Sequence, residues 1–80
     1  MKNKTITLDK LCLGEKGIVK SLTSNGVIRR RMLDLGLVDG TIVEALQKSP
    51  SGDPVAYSIR GAVIALRCED AVKVILEISS

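Results

Sequence analysis

A near absence of aromatic side chains is the strongest constraint on how this sequence can fold. The 80 residues include one Tyr and neither Phe nor Trp, although 45% of the residues are hydrophobic. A core must therefore be built almost entirely from Val, Ile and Leu. Branched aliphatic side chains fit a pleated sheet better than a helix. We therefore expect a mainly β protein, folded as a single domain over residues 1–80.

Short segments bounded by turn residues predict where the strands lie. The clearest turn surrounds Gly52 and Pro54. The predicted strands cover residues 5–8, 17–22, 41–47, 55–60, 62–67 and 72–78, and the side chains expected to face inward from the last one are Val72, Val74, Leu76 and Ile78. A helical turn is expected at 68–71, with Glu69 and Asp70 favoured at its start. Five to six strands this short leave the fewest unpaired backbone groups at the edges of the sheet when they close into a small barrel.

One helix is predicted between the second and third strands. Ser24 or Asn25 can cap its start with a side-chain oxygen. Apolar residues at helical spacing indicate one buried stripe, formed by Ile28, Met32 and Leu35. Gly36 stands where a left-handed residue ends many helices, and Leu37 supplies the hydrophobic contact that accompanies such an ending.

Three consecutive arginines give this helix a charged face. If the stripe is buried, Arg29 and Arg30 must point outward, while Arg31 flanks it. A solvated face, a docking surface for a protein and a surface for nucleic acid or lipid headgroups all remain open. The formal charge of +3 permits an acidic partner and requires none. Nucleic acid is not the expected partner, because Tyr57 alone is a poor stacking platform.

The residue types that usually form catalytic or metal-binding sites are missing or isolated in this sequence. There is no His, no phosphate-binding glycine loop, and Cys12 and Cys68 stand far apart in sequence. An enzyme or a resident cofactor is therefore not expected, and the scattered carboxylates make only a weak case for a divalent transition metal such as Fe²⁺. We expect both cysteines to be reduced, half-buried thiols.

The first residues lack the apolar stretch of a signal peptide, and no apolar run approaches the ~18 residues of a membrane span. These features predict a cytoplasmic protein with no membrane span of its own.

Several motifs, taken in order, resemble the FeoA family of small proteins of bacterial ferrous iron uptake. The resemblance runs from Leu8 to about Ile78. Its centre is Arg29-x-Arg31-Met32-x-Asp34-Leu35-Gly36-Leu37-x-x-Gly40. The flanking pieces are Leu8-x-x-Leu11-x-x-Gly14-x-x-Gly17-Ile18, Gly52-Asp53-Pro54, Arg60-Gly61 and Ile64-Ala65-Leu66-Arg67-x-x-x-Ala71. Asp39 departs from the proline that many relatives carry before the glycine.

The resemblance implies an SH3-like barrel with one inserted helix. It also implies a non-enzymatic role in which the protein binds the FeoB membrane transporter at its cytosolic GTP-binding region. Related domains form the C-terminal part of some metal-dependent repressors, so one alternative function is a metal-responsive regulatory module. Another alternative is a small nucleic-acid-binding barrel. Pairing of two copies through an exposed strand is a further option. Our hypothesis for the contact surface comprises Arg29, Arg30, Arg31, Leu37 and Asp39.

Overall fold

Six antiparallel strands form one sheet in the computed structural model, which describes residues 3–79. The strands are β1 (Asn3–Thr7), β2 (Lys16–Leu22), β3 (Ile42–Lys48), β4 (Val55–Ile59), β5 (Ala62–Leu66) and β6 (Val74–Ser79). A 3-10 turn at Leu8–Lys10 follows β1, helix α1 (Gly26–Asp34) follows β2, and the single turn α2 (Cys68–Ala71) follows β5. The predicted mainly β fold with one inserted helix is confirmed.

The strand order is β1-β6-β2-β3-β4-β5, so the first and fifth strands lie at the two edges of the sheet. Pairing is irregular between Val19 and Ser21 and again between Ala45 and Gln47, and such bulges bend a sheet. Within the described residues β1 and β5 share no ladder. The helical turn α2, which follows β5, contacts the 3-10 turn that follows β1. This contact brings the chain after β5 against the chain after β1.

An aliphatic core fills the barrel, as the composition predicts. The buried side chains are Leu8, Leu11, Val19, Met32, Leu37, Val43, Ala45, Tyr57, Ile59, Leu66, Ala71, Val74 and Leu76. Tyr57 lies among them, and its hydroxyl donates a hydrogen bond to the carbonyl oxygen of Leu8 at 3.5 Å. Burial raises the pKa of Tyr57 to about 12, with smaller contributions from the charges of Asp9, Cys68 and Asp53. The phenol therefore stays neutral at physiological pH.

Two residues that we expected to face the core are exposed. Ile28 is 42% exposed, so the predicted stripe on α1 is buried only at Met32 and, in part, at Leu35. Val72 is also exposed, because it ends α2 and the last strand begins two residues later, at Val74. In both cases the spacing of buried hydrophobic residues was extended by one residue too many. At that residue the side chain is no longer covered by another part of the barrel.

The cysteines are free thiols, as predicted, but they are not half-buried. Cys12 and Cys68 both lie at the surface. The backbone N–H of Cys68 donates to Asp53 Oδ1 at 2.8 Å, which helps to start α2. Glu69 and Asp70 occupy the first turn of α2, in agreement with the prediction from the helix dipole.

Candidate partner-binding surface

The C-terminal end of α1 is the part that fixes this helix to the barrel. Gly36 adopts a φ of +102°, and its N–H donates to the Leu33 carbonyl at 3.0 Å. The N–H of Leu37 donates to the Met32 carbonyl at 3.1 Å, which completes the paired ending that the sequence predicts. Met32 is 3% exposed and Leu37 is 0% exposed. The C-terminal end of α1 is therefore anchored in the barrel core by the buried side chains of Met32 and Leu37.

The N-terminal end of α1 is far less attached. Asn25 is the N-cap, but its side chain makes no capping hydrogen bond. The Ser24 hydroxyl oxygen is buried and also makes no hydrogen bond, so neither predicted cap residue provides the expected side-chain interaction. Val27, two residues after Asn25, is 84% exposed. Arg29 and Arg30 follow in this half of the helix, and both residues are exposed.

The three arginines have different surroundings. Arg29 Nη1 donates to the Leu22 carbonyl at 3.3 Å, so its guanidinium lies against the end of β2. Arg31 Nη2 lies 3.7 Å from Asp70 Oδ2, which turns this side chain toward α2. Within the described residues the Arg30 side chain makes neither an ion pair nor a hydrogen bond. Arg30 thus keeps its full hydrogen-bonding capacity for another molecule.

Arg29 and Arg30 border one shallow hollow on the outer face of α1. The hollow has a volume of about 280 Å³ and is lined by Gly26, Arg29, Arg30, Leu33 and Asp34. We call these five residues the arginine surface. It combines two cations, one carboxylate and an apolar floor in an open, shallow site. Such a surface suits a protein side chain or loop better than a small substrate, which needs an enclosed pocket.

The structure separates the remaining members of our predicted contact surface from this hollow. Leu37 is fully buried, so the prediction that it touches a partner is wrong; its side chain is the hydrophobic contact of the helix ending. Asp39 is exposed, but it lines a different hollow with Gly40, Ile42 and Arg60, among others. The turn carrying Asp39 is held to β2, since the Gly40 N–H donates to the Val19 carbonyl at 2.8 Å.

An exposed pair of isoleucines is a surface feature that our sequence reasoning did not identify. Ile18 on β2 and Ile42 on β3 are register partners, and both side chains are exposed. Alternation already places Ile18 opposite the buried Val19, so the signal was present in the sequence. The sequence does not show which strand pairs with β2, so it could not identify Ile42 as the neighbour of Ile18.

The described residues do not offer a metal centre. From residue 3 to residue 79, no group of three or more His, Cys, Asp or Glu side chains lies close enough to hold a metal ion. Two of the carboxylates already face arginines, since Asp70 faces Arg31 and Asp53 Oδ2 lies 3.8 Å from Arg67 Nη1. No helix in this part of the chain is both long and apolar enough to cross a membrane.

Residues 3–79 form a small barrel that carries a helix with exposed arginines. The model of the FeoA domain matches residues 6–78, and this chain belongs to the FeoA family. The resemblance drawn from the motifs is thereby confirmed.

Known proteins with similar sequences and structures agree with this assignment. A fusion of Fe(2+) transport protein A with the Fe(2+) transporter FeoB, from Porphyromonas gingivalis, is 36% identical over 73 residues. The match includes 91% of this chain but only 9% of the fusion protein.

Two solved structures of similar proteins match over most of their length. An FeoA-like protein from Clostridium acetobutylicum superposes with a TM-score of 0.87 at 31% identity, covering 100% of this chain and 92% of that chain. The FeoA of Stenotrophomonas maltophilia, solved with zinc and described as an SH3 domain protein, gives a TM-score of 0.80 at 32% identity, covering 89% and 88%. The SH3-like architecture is thus confirmed.

Proposed function

We propose that this protein is a non-enzymatic accessory component of ferrous iron uptake that binds an FeoB-type transporter through the arginine surface. The observation that carries this proposal is the P. gingivalis fusion, in which an FeoA unit and an FeoB transporter share one polypeptide. Covalent linkage raises the effective concentration of one unit beside the other, which is useful when the two must associate. An FeoA unit that is not joined to its transporter has to achieve that association by its own surface.

Binding accounts for the role better than catalysis does. The sequence has no His, and the one phenol is buried with a pKa raised to about 12. An accessory protein of this kind changes its partner by binding one of the partner's conformations more tightly than another. The accessory protein would therefore shift the population of transporter states, and its place is the cytoplasmic face of the membrane, held there by the transporter.

The arginine surface has the physical properties expected of the contact. Arginine is enriched among the residues that dominate binding energies, because its planar guanidinium pairs with carboxylates in a bidentate manner. Arg30 has no partner among the described residues, so binding costs it no existing ion pair. Anchoring of α1 at Met32 and Leu37 holds the surface in place before binding. A pre-organised surface of this kind loses little conformational entropy on association.

Nucleic acid is a weaker candidate for the same surface. The only aromatic side chain of the whole sequence is Tyr57, and it lies in the core. No base can therefore stack on an exposed aromatic ring.

The test is a double charge reversal, Arg29→Glu with Arg30→Glu. Binding to the full-length FeoB-type transporter of the source cell, reconstituted in detergent, would be measured by calorimetry at low salt. We expect the affinity to fall at least about tenfold, because two cations are replaced by anions at the contact. A matched control reverses two exposed cations on the sheet, Lys16→Glu with Lys48→Glu, and should change the affinity less than about threefold.

Circular dichroism and thermal unfolding would establish that both variants are folded. Undiminished binding by the folded arginine variant would remove the arginine surface from the proposal. Failure of the unaltered protein to bind the transporter at all would overturn the proposed function itself.

A further inference from the structure

Arg60 occupies a backbone position that its residue type does not favour. With Gly61 it forms the two-residue turn between β4 and β5, and the φ values of the two residues are 53° and 85°. A turn with two left-handed residues prefers Asn followed by Gly, because Asn adopts this conformation more readily than a long side chain does. Unfavourable backbone conformations are concentrated where a function requires the side chain. The turn itself gives no reason for an arginine at this position.

The aliphatic stem of Arg60 lies against the residue that ends α1. A Cβ atom on Gly36 would lie 2.7 Å from Arg60 Cδ and 3.2 Å from Arg60 Cγ, so the stem covers the buried glycine. Such a contact restrains the stem of a long side chain, while its charged head remains in water. Among residues 3–79 the Arg60 side chain makes neither an ion pair nor a hydrogen bond. Its guanidinium is therefore held in place and has its donors available.

Arg60 lines an open hollow of about 480 Å³, which we call the Arg60 hollow. The lining residues are Val38, Asp39, Gly40, Thr41, Ile42 and Arg60. Ile42 is 59% exposed, so an apolar side chain stands in the same hollow as the guanidinium. Asp39 lines this hollow too, but it forms no ion pair with Arg60. The hollow thus combines a cation, a carboxylate and an exposed apolar side chain.

The Arg60 hollow and the arginine surface adjoin the same end of α1. Asp34, the last residue of α1, lines the arginine surface, and Arg60 covers Gly36 two residues further on. A protein bound at the arginine surface is therefore within reach of the Arg60 hollow.

We propose that the Arg60 hollow binds an acidic side chain of the transporter, and that an apolar residue beside this acidic side chain packs on Ile42. The inference rests on the proposed function and adds the chemistry of a second contact. A guanidinium pairs with a carboxylate through two parallel hydrogen bonds. Asp39 gives the hollow a negative charge of its own, which a single carboxylate on Arg60 tolerates better than a nucleic acid or another polyanion does. The charges therefore favour a protein segment as the occupant.

Arg60→Asn separates binding from folding. Asn suits the left-handed position, so the Tm should stay unchanged or rise. The Kd for the full-length FeoB-type transporter of the source cell, measured by calorimetry in detergent at low salt, should rise at least about tenfold, because the ion pair is lost. The matched control, Lys48→Asn, removes an exposed cation at the other end of β3 from Ile42 and should change the Kd less than about threefold.

A second pair of variants tests the apolar part of the contact. Ile42→Ser removes the exposed apolar side chain of the hollow, and the Kd should rise about fivefold. Leu46→Ser makes a similar change on the same strand, at a residue that is 40% exposed and lies outside the hollow, and should leave the Kd unchanged.

Asp39→Asn tests the sign of the charge that the hollow receives. It removes a negative charge from the place where the partner's carboxylate is expected, so the Kd should stay the same or fall by up to about threefold. A Kd that rises for Asp39→Asn and stays unchanged for Arg60→Asn would assign the hollow to a basic group and overturn the proposal.

The outcomes distinguish this inference from the proposed function. An unchanged Kd for folded Arg60→Asn, whatever its Tm, would mean that Arg60 only covers the end of α1, and the inference would be wrong. If Arg29→Glu with Arg30→Glu weakened binding at the same time, the proposed function would stand without it. Failure of the unaltered protein to bind the transporter would overturn both.

Discussion

The two ends of α1 differ in how they are attached to the barrel. The C-terminal end is fastened by the buried Met32 and Leu37 and by the hydrogen bonds around Gly36. The N-terminal end begins without a side-chain cap and exposes Val27 and much of Ile28. A nine-residue helix is too short to be stable alone, so its folding depends on the end that is packed. The other end is then free to present side chains to a partner.

The largest predicted effect concerns the anchor of the packed end. Met32→Ala removes a side chain that is 3% exposed, and the free energy of unfolding should fall by about 2–4 kcal/mol. Leu33→Ala, at the next position, removes a side chain that is 37% exposed and should cost less than about 1 kcal/mol. Urea unfolding measures both values. Equal losses for the two variants would mean that α1 is not anchored through Met32.

The next effect concerns the turn that ends α1. Gly36 has a φ of +102°, a conformation that is unfavourable for any residue with a Cβ atom. A Cβ atom at this position would also lie 2.7 Å from Cδ of Arg60. Gly36→Ala should therefore lower the free energy of unfolding by about 1–2 kcal/mol, measured by urea unfolding.

Repeating Gly36→Ala in an Arg60→Gly background separates the two causes. The steric contact disappears there, while the backbone strain at residue 36 remains. A loss that vanishes completely in this background would show that the backbone conformation of Gly36 contributes nothing to holding the helix end.

The sequence predicts the two ends of α1 with unequal success, and the reason is physical. Gly36 and Leu37 form a local signal, because the chain conformation and the hydrophobic contact involve residues close in sequence. Burial of Ile28 depends on whether another element reaches that part of the helix, which periodicity cannot show. Our two predictions for Leu37 contradict each other. The helix-ending motif correctly predicted that Leu37 makes a hydrophobic contact inside the protein, yet we also placed this residue on the partner-binding surface.

The edge strands illustrate a similar limit. Alternation and turn residues predict both β4 and β5 well, since the hairpin between them is local. β5 lies at an edge because β6, the next strand along the chain, pairs with β1 and β2 and not with β5. Such an arrangement depends on long-range pairing, and no local pattern encodes it. The free edge could therefore be suspected from the sequence, but its identity required the fold.

The smallest predicted effect tests the unattached end of α1. Val27→Ala removes two methyl groups from a side chain that is 84% exposed, so little burial is lost. Alanine is the better helix former by a few tenths of a kcal/mol, up to about 0.7 kcal/mol. The free energy of unfolding should consequently stay unchanged or rise slightly. The same substitution at the buried Val43 should cost about 2 kcal/mol, which makes the pair a matched measure of packing. If Val27→Ala cost as much as Val43→Ala, the N-terminal end of α1 would be packed in solution, and the arginine surface would be less accessible than we propose.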